Sequence, residues 1–149
     1  NIKQEMLEEH TLDAVFSFPI DMFYPGASAV ACCMVFDLSQ KHEKSNKDTF
    51  FGYYKDDKFI KRKGLGRVEQ TDSNGNSLWL KTEDLWLTLY KNRREVPGLS
   101  VMQRVTWKDE WLSEAYMETD YSILSEKDFQ QTINEHLAYL VKEGYVHES

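Results

Sequence analysis

The stretch Thr11-Leu-Asp-Ala-Val-Phe-Ser-Phe-Pro19, running through Asp21-Met-Phe-Tyr-Pro25 into Ala29-Val-Ala-Cys-Cys-Met-Val-Phe36, decides how this chain folds. Residues 12–18 alternate, with Leu12, Ala14, Phe16 and Phe18 on one side and Asp13, Val15 and Ser17 on the other. A period of two is the signature of a strand with one covered face. Pro19 has no N–H to give to a ladder, so the strand ends there. Residues 29–36 are apolar without interruption, the pattern of a strand buried on both faces. Only a medium loop with nothing helical in it lies between the two runs, so they are expected to pair antiparallel. Cys32 and Cys33 fall inside the second run. Neighbouring side chains on a strand diverge, so these thiols are poorly placed to bridge each other and are read as buried core filler.

Outward from this pair the chain reads as follows. Residues 2–9 look like the end of a helix, with Ile2, Met6 and Leu7 on one face. Residues 40–48 are polar and form a surface loop. Residues 49–54 are aromatic-rich and read as a strand, with residues 58–61 as its hairpin partner across Asp56 and Asp57. Gly64, Gly66 and the turn-forming residues 71–76 mark a long flexible stretch. A helix is expected over 82–93, capped by Thr82 and stopped by Pro97-Gly98, with Leu85, Trp86, Leu89 and Tyr90 as its apolar face. Residues 101–107 suit a short strand and 109–116 a weaker helix. A last helix starts at the Ser125 cap, carries Phe129, Ile133, Leu137, Leu140 and Val141 at helical spacing, and stops at Gly144.

The chain has 149 residues, 41% of them hydrophobic, enough for one domain with its own core. No apolar run approaches the roughly 20 residues of a membrane span. The first residue is Asn1 instead of Met, and no basic-then-apolar leader follows. With the unbridged cysteines, this points to a piece of a longer cytoplasmic protein. The net charge is −7, but it is unevenly spread. From residue 109 onward ten acids face two lysines, a local −8, which leaves residues 1–108 at +1. Within them Lys55, Lys58, Lys61, Arg62, Lys63 and Arg67 face only Asp56 and Asp57, a local +4. Such asymmetry speaks about partners more than the total does.

Several chemistries have no written basis. There is no phosphate loop of the Gly-Lys-Ser/Thr kind, and Gly64-Leu65-Gly66 lacks a third glycine and a following helix. There is no nucleophile elbow. His10, His42, His136 and His147 are scattered, and nothing specifies a metal site.

Three stretches carry a resemblance. The first is the strand–loop–strand run quoted above. The second is His42-Glu-Lys-Ser-Asn-Lys-Asp-Thr-Phe-Phe-Gly-Tyr-Tyr54 with Lys55-Asp-Asp-Lys-Phe-Ile-Lys-Arg-Lys63. The third is Gly98-Leu-Ser-Val101 with Asp109-Glu-Trp-Leu-Ser-Glu-Ala-Tyr116. Together they resemble the C-terminal part of the methylation subunit of type I restriction–modification enzymes, DNA N6-adenine methyltransferases. The resemblance implies an α/β fold (α+β for these residues alone). Residues 1–38 would be the closing antiparallel strands of a Rossmann-like methyltransferase sheet. Residues 39–76 would form a basic strand, hairpin and flexible loop, and residues 77–149 a C-terminal helical region.

That family binds S-adenosylmethionine on a Gly-rich loop and flips the target adenine into a pocket. An Asn/Asp-Pro-Pro-aromatic motif holds the adenine amino group. This chain contains only Pro19, Pro25 and Pro97, so it has no Pro-Pro, and it has no cofactor loop. The parent protein would be the methyltransferase; these residues alone would be inactive and would bind no S-adenosylmethionine. The resemblance makes Phe23 and Tyr24 candidates for the wall of the target-base pocket, against the plainer reading that they pack under the sheet edge. Lys58, Lys61, Arg62, Lys63 and Arg67 are candidates for contact with the backbone of double-stranded DNA, against a merely solubilised hairpin. Phe129, Ile133, Leu137 and Leu140 are either core or a subunit interface, since the family works with a specificity and a restriction subunit. Apolar surface left without neighbouring strands would make the chain self-associate. The alternative is an assembly or DNA-backbone-binding module that never touches the cofactor.

Overall fold

The computed structural model describes residues 1–27 and 29–117. The expected last helix, with Phe129, Ile133, Leu137 and Leu140, lies outside the described residues.

Helix α1 (Ile2–Glu9) leads into strand β1 (Thr11–Ser17), and the Asn1 side chain caps the helix by accepting from the Lys3 N–H. Strand β2 (Cys32–Asp37) pairs antiparallel with β1, as the two apolar runs predicted. Strand β3 (Thr49–Tyr53) lies on the other edge of β1 and runs parallel to it. Strands β4 (Phe59–Arg62) and β5 (Gly66–Glu69) form a separate antiparallel hairpin. Helix α2 (Leu78–Lys91) precedes β6 (Ser100–Gln103), which closes the main sheet against β3. The sheet order is β2-β1-β3-β6, a mixed sheet in a small α/β domain.

The sheet has a core on each face. Alternation sends neighbouring residues of β3 to opposite sides. Phe51 joins Leu7, Leu12, Val15, Val105, Trp111 and Met117 under α1 and the segment after β6. Phe50 joins Ala14, Tyr54, Leu85, Trp86, Leu89 and Val96 under α2. Gly52, next along β3, has no room for a side chain on the α2 side, because a Cβ there would come within 2.8 Å of the Phe16 ring and 2.9 Å of Tyr54.

The structure corrects several expectations. The strand buried on both faces is β1, flanked by strands on both edges and covered on both faces. A register shift between Leu12 and Ala14 breaks the strict alternation, so Leu12 shares a core with Val15 while Ala14 faces α2. β2 is the sheet edge, and Cys32, Cys33 and Met34 are all exposed. The cysteines are therefore not core filler: an apolar sequence is buried only where a neighbouring element exists to cover it. Residues 58–61 do not pair with β3, whose edges are taken by β1 and β6; β4 pairs instead with β5, inside the stretch read as flexible. α2 begins a turn earlier than expected. Ser77 caps it, accepting from the Leu80 N–H at 3.2 Å, whereas Thr82 donates back to the Leu78 carbonyl from inside the helix. Residues 109–116 form turns and a short 3-10 segment, Ser113–Ala115, in place of a helix.

Candidate nucleic-acid interface

β1 and β3 are parallel, and both end at the side where ligands gather in α/β sheets. From the end of β1 the chain passes through Pro19 into a run of tight turns. The Met22 N–H donates to the Pro19 carbonyl, Tyr24 to Asp21 and Ala27 to Phe23, at 3.2, 3.0 and 3.0 Å. The Tyr24–Pro25 bond is cis. Phe23 belongs to neither core and is 50% exposed. Tyr24 is half-buried, and what lies over its ring is the Lys61 ammonium, 5.1 Å from the centroid.

Lys61 arrives there because of the β4–β5 hairpin. Gly64 and Gly66 take positive φ values of 80° and 78° that turn the chain between the strands. Alternation along β4 puts Phe59 and Lys61 on one face, and the register sets Arg67 directly opposite Lys61. Two cations facing each other across a ladder repel. Here Arg67 is occupied by carboxylates: Nη1 and Nη2 donate to Asp57 at 2.8 Å each, and Nη2 also reaches Asp21 at 3.1 Å. The hydrogen bonds that the guanidinium donates to Asp57, then the charges of Asp57 and Asp21, hold its pKa above the ordinary value against the opposing effect of burial. The guanidinium also lies over the Phe59 ring at 5.3 Å, and Phe59 meets Trp79 of α2 edge to face.

The sequence candidates thus divide. Lys61, Arg62 and Lys63 are exposed at the end of the hairpin, beside an exposed Leu65. Lys58 takes a positive φ and its ammonium sits 2.9 Å from Asp56. Arg67 is turned inward, its side chain 13% exposed. Phe23, Tyr24 and the basic hairpin, which look separate in the sequence, form one surface.

A second cluster at the same end escaped sequence reasoning. The buried Ser17 hydroxyl, at the end of β1, donates to Glu114 at 2.9 Å, and the Lys55 ammonium lies 3.2 Å from the other Glu114 oxygen. Burial pushes the Glu114 carboxyl up, but the hydrogen bonds from backbone, Ser17 and Lys55, with the Lys55 charge, hold it below the ordinary carboxylate range. The partners are 97 and 59 residues apart from Glu114 in sequence, and no local pattern links them.

Among the described residues no group of three or more His, Cys, Asp or Glu is placed to hold a metal. Gly64 and Gly66 turn a hairpin, not a strand into a helix, and open space surrounds the position of a Gly64 Cβ, so this pair does not fit the Gly-rich S-adenosylmethionine loop of the family resembled. An open concavity of about 530 Å³ lined by Asn46, Lys47, Asp48, Lys91, Arg93 and Met102 lies at the opposite end, beside the start of β3. Among the described residues no helix is long and apolar enough to cross a membrane.

Comparison with known proteins agrees with the resemblance at a coarse level. No protein-family profile and no solved structure matches the chain. The chain is 31% identical over 137 residues to the type II restriction enzyme and methyltransferase RM.BcgI of Heyndrickxia coagulans. The match covers 92% of this chain, which spans about a fifth (20%) of the length of that relative. The chain is therefore related to a restriction–modification methyltransferase.

Proposed function

We propose that these residues form the closing part of a DNA adenine-N6 methyltransferase of a restriction–modification system, and that they serve the DNA side of the reaction. The supporting observation is the placement of the aromatic loop 19–26 beyond the C-terminal ends of β1 and β3, uncovered at Phe23 and joined to a basic hairpin. In this reading Phe23 and Tyr24 offer flat apolar faces to an unstacked adenine, each contact worth about 1–3 kcal/mol. Lys61, Arg62 and Lys63, with Lys58 behind them, meet the phosphates beside it without reading sequence. S-adenosylmethionine supplies the methyl group in the parent protein, on parts of the Rossmann-like sheet other than these, and the chain by itself is inactive. The finer assignment to type I, with specificity and restriction subunits as partners and a cytoplasmic setting, rests on residues 42–63 and 98–116.

The test is fluorescence anisotropy of the chain with a duplex carrying one unpaired adenine, across a salt series. Binding is expected to weaken with salt. Replacing Lys61, Arg62 or Lys63 with Ala should each reduce the salt slope by about one. Binding that ignores all three substitutions, or none at about 50 mM salt, overturns the proposal.

The exposed edge of β2 favours a second reading alongside the first. Cys32, Cys33 and Met34 carry no charge, and Val30 just before them is 68% exposed. An exposed edge strand without lysine or proline to block it is a template for another strand. The chain by itself is therefore expected to self-associate through it, and this edge makes assembly part of its role.

A further inference from the structure

We infer that Arg67 is a positioning residue: it ties the aromatic loop to the basic hairpin, so that the base-facing and phosphate-facing parts act as one preassembled unit. This rests on the DNA-binding reading above. Sequence pattern places Arg67 among the phosphate contacts, and its surroundings argue otherwise. Its two terminal nitrogens are committed to Asp57 and Asp21, and its Nε is buried without a partner. Its charge is thus already met by two carboxylates, which leaves it little to offer a phosphate. The pair with Asp57 is bidentate, the geometry that fixes a guanidinium most rigidly.

Asp57 belongs to the hairpin side, where its Oδ1 also accepts the Phe59 N–H at 3.1 Å. Asp21 belongs to the loop, where its carbonyl closes the turn at Tyr24. Arg67 is thus the bridge between an anchored carboxylate and a loop carboxylate. Two further contacts run the same way: Lys61 lies over Tyr24, and a Cβ on Gly66 would sit 3.5 Å from the Pro25 ring. Side chains are held in place for an incoming ligand when their supports are locked beforehand. Here the lock is ionic and shielded from solvent, so added salt screens it little.

Asp21→Asn weakens the loop end of the bridge and leaves the Arg67–Asp57 pair to hold the hairpin; Arg67→Gln removes both ends. Hydrogen exchange reads the coupling without any ligand. In Asp21→Asn the Met22, Tyr24 and Ala27 amides should exchange about tenfold faster, while the amides of Phe50 and Phe51 stay unchanged. Unchanged exchange in the loop overturns the inference. The second readout uses duplexes with 2-aminopurine in place of the unpaired adenine. Both variants should lose the quenching given by Tyr24 and keep the wild-type salt slope. A slope lowered by about one in Arg67→Gln would make Arg67 a phosphate contact and overturn the inference. If the unaltered chain binds no DNA, the functional reading fails, and the exchange data still decide whether Arg67 couples loop to hairpin.

Discussion

β1 and β2 are paired along their length, and both are rich in apolar residues, yet one is covered on both faces and the other is the open edge of the sheet. Composition does not separate them: each contains one aspartate, Asp13 inside β1 and Asp37 at the end of β2. The difference lies in what surrounds each. β1 has a strand on either edge, one core on each face, and Ser113 donating to its Val15 carbonyl at 3.1 Å. Its acid is absorbed too. Asp13 accepts from Tyr90 and Arg93 of the α2 end, and burial, then that hydrogen bond and the Asp13 charge, push the Tyr90 phenol up to about 12, so it stays a donor. β2 has β1 on one side and no neighbouring strand on the other among the described residues. Burial is therefore a property of the neighbourhood before it is a property of the strand.

The largest expected effect breaks the covered side. Phe51→Ala, which empties a fully buried ring position against β1, should cost about 3–5 kcal/mol in urea unfolding, whereas Met34→Ala on β2 should stay within about 0.5 kcal/mol. Equal costs would contradict the contrast.

The next effect concerns a buried histidine that pins β1. The His42 Nδ1 accepts the Leu12 N–H at 3.2 Å, and Nε2 donates to the Val105 carbonyl at 2.8 Å, so the ring is held neutral. Burial pushes its pKa below the ordinary value; Arg104 adds to this, while the bond to Val105 and the charge of Glu43 oppose it. A depressed folded pKa means that this contribution is complete above the unfolded value near 6.5 and is lost as the pH falls toward the folded value. His42→Ala should cost about 1–3 kcal/mol at neutral pH and flatten the stability profile below about 6.5. A profile unchanged by the substitution would show that His42 does not hold the strand.

The smallest effect on stability, and the sharpest test of the open side, is on β2. Val30→Lys and Met34→Lys should leave the unfolding midpoint nearly unchanged but convert an associating chain to monomer in sedimentation velocity. Cys32 and Cys33 should both react with a maleimide in the native protein. Protection of either thiol in a strictly monomeric sample would mean that the edge is covered by the chain itself.

Much of the local order was legible. The bounds of α1 matched those expected, β1 and β3 were found within a residue at each end, and the antiparallel pairing of β1 with β2 followed from the medium-length, helix-free connection. The hairpin was misassigned because Phe59 and Ile60 show which faces a strand offers but not which partner accepts them. The start of α2 was missed because both Ser77 and Thr82 are good caps, and local pattern cannot rank them. Of the candidate site, Phe23, Tyr24 and the basic run were visible as residue types, and their meeting was not.

By itself the sequence determined α1, β1, β3 and the body of α2, the aromatic loop after Pro19, the cluster of cations from Lys55 to Arg67, and the likeness to a methyltransferase chain. These are readable because periodicity, capping and charge runs act within a few residues. Only the tertiary structure decided that β1 is central and β2 an edge, that Arg67 faces inward, and that Ser17, Lys55 and Glu114 meet. The physical reason is common to all three: burial and electrostatic partnership depend on contacts between residues tens of positions apart, which exist only once the chain has closed on itself.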